Sequence, residues 1–239
     1  MSHHAEPPRT HAPHVFVADV DAPELSPEDR HHLSRVLRLP DGAPLVVSDG
    51  HGRWRACRLG AALAVDGDVH VVAPASPSLT VAFAVPKGDR PELVVQKLTE
   101  LGVDRIVPLF AERSVVRWDR ARSVKHLERL RRVAREAAMQ SRRLWLPVVD
   151  EPCGLADLVA AHGGAVVLAE RDGAAPSLAH PVVAVGPEGG WTDAERAVAP
   201  HVALGGGVLR AETAAIAAAA VLTALRDGLV DPVARRSGT

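Results

Sequence analysis

The sequence predicts an α/β fold with a largely parallel sheet, preceded by a small, mostly β module. Three observations carry this. From residue 79 onward short β-branched runs alternate with helical patterns, as in a parallel sheet covered by helices. Before that point, Asp-Gly pairs punctuate short apolar runs, a strong hairpin signal. Finally, two glycine-bearing segments, residues 186–190 and 204–214, each follow a β-branched run and lead into a helical pattern. That is the edge at which open α/β sheets bind ligands.

In the first part, the runs Pro44-Leu45-Val46-Val47 and Val69-His70-Val71-Val72 read as strands, set off by Asp41-Gly42, Asp49-Gly50 and Asp66-Gly67. Ser26 to Leu39 interrupts them with a short helix, with Ser26 as its cap and Pro27 in its first turn. A small barrel or compact sheet over residues 1–75 results. Ala73-Pro74-Ala75-Ser76-Pro77-Ser78 is the best linker, and the second domain spans 79–239. There Thr80 to Val85 is a strand, and Pro91 to Leu101 a helix with Val94, Leu98 and Leu101 on one face and Gly102 just past its end. A strand Arg105 to Phe110 and a long helix from about Arg120 to Arg142 follow. Ala165–Ala169, Val182–Val185 and Val202–Leu204 supply further strands, and Glu212 to Leu225 the last helix.

Composition excludes several classes. The hydrophobic fraction of 47% indicates a soluble globular protein with ample core. Cys57 and Cys153 are too few for a disulfide framework or a zinc site, and the scattered histidines lack partners at ligand spacing, so no metal is expected. The N-terminal residues lack the apolar stretch of a signal peptide. The longest apolar run, Ala214 to Leu222, falls well short of the roughly 20 residues a bilayer needs. A cytoplasmic protein is the expectation. Since the formal net charge is −1, any nucleic-acid partner must be met by a local patch.

Glycine lets backbone approach a ligand closely, so the two glycine loops suggest one small-molecule pocket. Neither carries GxGxxG or a Gly-Lys-Ser/Thr ending, which removes support for a phosphate cradle. A nucleoside without phosphates fits better. The polar groups in these loops are Glu188, Arg210, Glu212 and Thr213. Near a ligand, a carboxylate could accept a proton and Arg210 could stabilise a developing anion. The alternatives are helix capping by Glu212 or Thr213, the favoured reading for those two, and a structural salt bridge by Arg210. Between Arg117 and Arg143 ten Arg/Lys residues face three acidic ones, while Leu127, Leu130, Val133, Ala134, Ala137 and Ala138 keep an apolar stripe. This cationic face either neutralises nucleic-acid phosphates or is an ordinary solvated helix face. The same two readings apply to His31-His32-Leu33-Ser34-Arg35-Val36-Leu37-Arg38 and to Arg53, Arg55 and Arg58, where strand alternation puts Arg53 and Arg55 opposite Trp54.

Six segments in register resemble one family, the RsmE-type ribosomal RNA methyltransferases of the SPOUT superfamily. They are His32 to Arg38, Gln96-Lys97-Leu98-Thr99-Glu100-Leu101-Gly102-Val103, Pro108-Leu109-Phe110-Ala111-Glu112-Arg113-Ser114, Arg135-Glu136-Ala137-Ala138-Met139-Gln140-Ser141, Gly186 to Gly190, and Leu209 to Ala214. The resemblance implies a PUA-like N-terminal barrel that helps hold RNA, a trefoil-knotted catalytic domain, a homodimer, and S-adenosylmethionine as cofactor. It implies methylation of N3 of a uridine in 16S ribosomal RNA. Cofactor contacts would fall on Leu168, Gly186, Glu188, Gly189, Gly190, Leu204, Gly205, Leu209, Ala211, Thr213 and Ala214. RNA contacts would come from Arg35, Arg38, Arg53, Arg55, Lys87, Arg113, Arg135, Gln140, Arg142 and Arg143. Arg210 would stabilise the uracil anion, with Glu188 or Glu212 assisting proton removal or orienting the loops. Met139 stands where the family usually has glutamate, and Gly207 where an arginine is common. The competing readings are an RNA-binding assembly factor without catalysis, a related methyltransferase acting elsewhere on RNA, and a nucleotide-dependent enzyme, disfavoured by the missing phosphate-loop lysine.

Overall fold

The computed structural model describes residues 12–88 and 90–231, without the side chains at 120 and 121. They divide into two compact units, one of residues up to Ala75 together with Arg135–Leu146, the other of Ser76–Ala134 together with the chain from Pro147. Among the described residues no helix is long and apolar enough to cross a membrane.

The first unit is built on a five-stranded sheet. Strands β1 (His14–Phe16), β2 (Pro44–Ser48), β3 (Arg53–Arg58) and β4 (Ala64–Val65) follow in that order, and β5 (His70–Val71) also pairs with β3. Of the three Asp-Gly pairs, Asp49-Gly50 closes a hairpin, between antiparallel β2 and β3. Asp41-Gly42 precedes β2, and Asp66-Gly67 lies between β4 and β5, which pair with β3 rather than with each other. Strand alternation buries Trp54 and leaves Arg53 and Arg55 half-buried on the other face. Ser26 caps α1 (Pro27–His31), its hydroxyl accepting from Asp29 N–H. The chain then widens into a π turn over His32–Val36, where Leu37 N–H reaches back five residues to His32 O at 2.9 Å. That turn drives Leu33 into a core with Val15, Val20, Leu45, Val47 and Cys57.

Two buried ionisable groups make this unit acid-sensitive. His14, 6% exposed, has its Nε2 2.7 Å from Ser48 Oγ. Burial pushes its pKa down to about 4, and the positive charges of Arg135 and Arg142 act in the same direction. Asp29 is held by Arg135 Nη2 at 2.7 Å; burial alone would raise its pKa, but the hydrogen bonds from Arg135 and Ser26 outweigh it and hold the carboxyl below the usual range. The histidine must stay neutral to remain folded, so its contribution is complete above pH 6.5 and is lost as pH falls towards 4. The Asp29 contribution is lost only below the ordinary carboxylate range. Between pH 7 and 4 we expect this unit to lose about 3 kcal/mol through His14. Urea unfolding followed by tryptophan fluorescence checks this: His14→Gln should flatten the pH dependence in that window.

The second unit holds a seven-stranded sheet in which every pairing is parallel. Its order is β12 (His201–Val202), β10 (Val166–Ala174), β11 (Val182–Val185), β6 (Thr80–Ala84), β7 (Arg105–Phe110) and β8 (Val148–Val149), with β9 (Cys153–Gly154) also on β7. Central β6 and β11 are buried at every position, as strands covered on both faces require. One face carries α2 (Arg90–Leu101) and α6 (Ala211–Arg226) with the start of α3 (Arg120–Gln140), the other α4 (Leu155–His162), and a short α5 (Asp193–Arg196) lies between β11 and β12 in the chain. Alanines 214, 215, 218 and 219 let α6 lie close against the sheet and α2. Gly102 ends α2 at φ +100°, which a side chain disfavours.

Strand β10 runs five residues beyond the expected Ala169, and β12 starts earlier than expected and ends at Val202. A register shift in β10 between Ala169 and Ala174 pairs both with Val202. Gly173 makes this possible: a Cβ there would stand 2.4 Å from the Val202 backbone. Leu204 is thereby released into the following loop.

Candidate active site

Neighbouring strands β12, β10 and β11 send their C-terminal ends to a common cleft of about 250 Å3. From β10 come Ala169, Glu170 and Arg171. After β11 the loop Gly186–Trp191 forms one wall, and after β12 the segment Leu204–Leu209, with Ala211 and Ala214 of α6, forms the other. Each glycine of the first loop has its own reason. A Cβ on Gly186 would lie 2.9 Å from the Trp191 ring, and one on Gly189 3.3 Å from Arg113 Cβ. Gly190 sits at φ +69°, closing a turn to Pro187 O at 2.8 Å. Gly205 and Gly207, by contrast, face open space. Their bare backbone borders the cleft where a ligand would lie.

Of the expected cofactor positions, Gly186, Glu188, Gly190, Leu204, Gly205, Leu209, Ala211 and Ala214 line the cleft. Leu168, Gly189 and Thr213 do not line it. Leu168 is fully buried in the core behind the strand, Gly189 turns towards Arg113, and Thr213 faces outward on α6. Trp191 is a lining residue that sequence reasoning missed. It is 4% exposed, and its Nε1 points at Ala169 O, 3.4 Å away. Thr192 and Glu195 form a capping box just after it, a legible local signal for where the loop stops.

Arg90, at the start of α2, is the second residue missed. Its Nη1 lies 3.6 Å from Glu212 Oε1 and 3.9 Å from Glu188 Oε1, so one guanidinium faces carboxylates from both loops. The signal was its place just after β6, at the ligand-binding edge of the sheet. Glu212 is mostly buried, 13% exposed, and its Oε2 has no hydrogen-bond partner among the described residues, whereas Glu188 is half-exposed at the cleft wall. Arg210 occupies the N-cap position of α6 without a capping side-chain bond. Among the described residues its guanidinium forms no ion pair, so it is an exposed cation between the lining residues Leu209 and Ala211.

Residues 74–223 match the RNA methyltransferase domain model. A ribosomal RNA small subunit methyltransferase E from Mycobacterium bovis is 37% identical over 84% of this chain and 86% of its own. The chain belongs to the ribosomal RNA small subunit methyltransferase E family. A Synechocystis relative of the same name is 36% identical over 84% of this chain and 72% of its own. The crystal structure of a ribosomal RNA small subunit methyltransferase E from Neisseria gonorrhoeae, bound to S-adenosyl methionine, superposes with a TM-score of 0.76 at 27% identity, covering 90% of this chain and 98% of that one.

Within this family framework the expected RNA contacts fare unequally. In the first unit Arg35, Arg38, Gln140 and Arg142 are exposed and Arg143 is half-buried. Arg53 is held by Asp21 at 2.8 Å, and Arg55 donates to Val20 O and Gly67 O. Arg135 is engaged within the unit: the buried Asp29 and the Phe16 carbonyl hold its guanidinium, because a carboxylate out of water needs a counter-charge. Met139 packs against the first unit's core, and its sulfur lies 3.6 Å from Arg135 Nη1. In the second unit Lys87 is exposed, and Arg113 donates to Gly189 O and Trp191 O, holding the cleft's first loop.

Proposed function

We propose that this protein methylates N3 of a uridine in small-subunit (16S) ribosomal RNA, with S-adenosylmethionine as methyl donor. The observation that carries the reading is the cleft between residues 186–191 and 204–209, lined by backbone and apolar side chains in a chain of the methyltransferase E family. The lining suits that cofactor. Val185, Leu204 and Leu209 offer apolar walls for a nucleoside, Gly205 and Gly207 offer backbone, and Glu170 and Glu188 offer negative charge to a cationic ligand. When bound, the cofactor supplies an electrophilic methyl group.

The residues of the chain must then prepare the base. Uridine N3 carries a proton at neutral pH and is a poor nucleophile until that proton leaves. Glu188, at the cleft wall, takes it. Arg210 stabilises the negative charge that develops on a uracil carbonyl oxygen. Glu212, turned inward, fixes Arg90, which in turn orients Glu188. The target base must be splayed from its stack to reach them. The same reading gives residues 79–239 a trefoil knot, residues 1–75 a PUA-like RNA-holding role, and the protein a homodimeric, cytoplasmic form.

The test is transfer of labelled methyl groups from S-adenosylmethionine to small-subunit RNA taken from cells lacking this gene, followed by mass mapping of the nucleosides. 3-Methyluridine is the expected product. A different methylated nucleoside would move the target atom, and RNA binding without transfer would leave a non-catalytic assembly factor.

A further inference from the structure

We propose that a second cavity in the parallel-sheet unit, walled by Trp118, His126, Glu92 and Lys87, holds a base next to the methylated uridine and selects one that carries an exocyclic amino group. This rests on the reading of the protein as an RNA methyltransferase. The cavity has a volume of about 360 Å3, within the range of small-molecule sites. One wall is aromatic and already in place. The Trp118 and His126 rings stack 4.5 Å apart at 13°, and Phe110 meets Trp118 edge-on at 6.0 Å. Stacking on such a surface accepts any base, so choice among bases must come from hydrogen bonds.

Glu92 supplies the hydrogen bond. Its Oε1 is ion-paired with Arg129 Nε at 2.9 Å, while its Oε2 is buried without a hydrogen-bond partner among the described residues. A buried carboxylate oxygen is costly until a donor reaches it. The exocyclic amino group of cytosine, adenine or guanine is such a donor. Uracil has none, and its ring N–H lies between two carbonyl oxygens that a carboxylate repels. Lys87 is exposed beside the cavity, where its ammonium can meet a nucleotide phosphate. The placement suits a neighbouring nucleotide, since α2 presents Arg90 to the carboxylates of the cleft and, two residues later, Glu92 to this cavity.

The full chain, saturated with S-adenosylhomocysteine, should be titrated with cytidine and uridine 5′-monophosphates, which differ at this amino group. The readout is the tryptophan fluorescence change that is absent from Trp118→Phe. Cytidine monophosphate should quench this signal, and uridine monophosphate should bind at least about tenfold more weakly. Glu92→Gln should bring the two within about twofold while S-adenosylhomocysteine affinity is unchanged. Equal quenching by both nucleotides, or quenching that persists in Trp118→Phe, overturns the proposal. Discrimination at Trp118 by a protein that methylates no RNA would instead overturn the methylation reading and leave the nucleotide site standing.

Discussion

Arg210→Ala should lower methyl transfer by about 10²- to 10³-fold, the usual cost of removing one donor aimed at developing negative charge. Affinity for S-adenosylmethionine should stay within about twofold, because the cleft wall beside Arg210 is made by Leu209 and Ala211 and not by the guanidinium. The position itself supports the split. Arg210 makes no capping bond to α6 and no ion pair among the described residues, so its removal breaks no contact that holds the loop. Single-turnover methylation with calorimetric cofactor titration separates the two effects. Unchanged methylation would remove Arg210 from the mechanism, and a matched loss of cofactor affinity would make it a binding residue instead. Arg210→Lys should recover only part of the rate, since an ammonium cannot reproduce the planar donor pair.

Gly186→Ala should weaken cofactor binding by about 10- to 100-fold, a cost typical of forcing one extra methyl group into a packed site. The added Cβ would stand 2.9 Å from Trp191 Cε2, closer than a Cβ comes to another atom, and 3.1 Å from Nε1, a tight contact as well. Trp191 cannot swing aside. It is nearly fully buried in a core with Leu109, Leu168 and Ala184, so the strain must pass into the loop that forms the cleft wall. Gly205→Ala is the matched control, because a Cβ there meets no protein atom within 4 Å. If Gly205→Ala also loses cofactor affinity, the loss reports direct contact between its backbone and the bound molecule. Titration of each variant, with near-ultraviolet circular dichroism as a measure of Trp191 packing, checks both.

Much of the architecture was legible because its signals are local. Val182–Val185 is a strand with the expected limits, and Arg105–Phe110 likewise, since buried parallel strands read as continuous apolar runs. The last helix, expected over Glu212–Leu225, spans Ala211–Arg226. Eight of the expected cofactor positions line one cleft because strand-to-helix loops carry their glycines in sequence order. Less legible were features set by contacts distant in sequence. Arg135 looked like one more arginine of a cationic helix until Asp29, 106 positions away, took its guanidinium. Asp66-Gly67 looked like a hairpin turn, but β4 and β5 on either side of it each found β3 instead of one another.

By itself, the sequence determined the alternation of strands and helices, the two glycine loops, the absence from them of a phosphate-binding pattern, and the family these residues resemble. Each depends on residue type at short spacing, and short spacing is what φ freedom, strand periodicity and helix periodicity constrain. Only the tertiary structure decided which side chains share the cleft. Trp191 explains why residue 186 must be glycine, and Arg90 faces Glu188 and Glu212 from a helix more than ninety residues earlier in the chain. Such meetings arise from the order in which parallel strands assemble, with β6 beside β11 and β10 beside β12, and that order is a property of the packed sheet and not of any one segment.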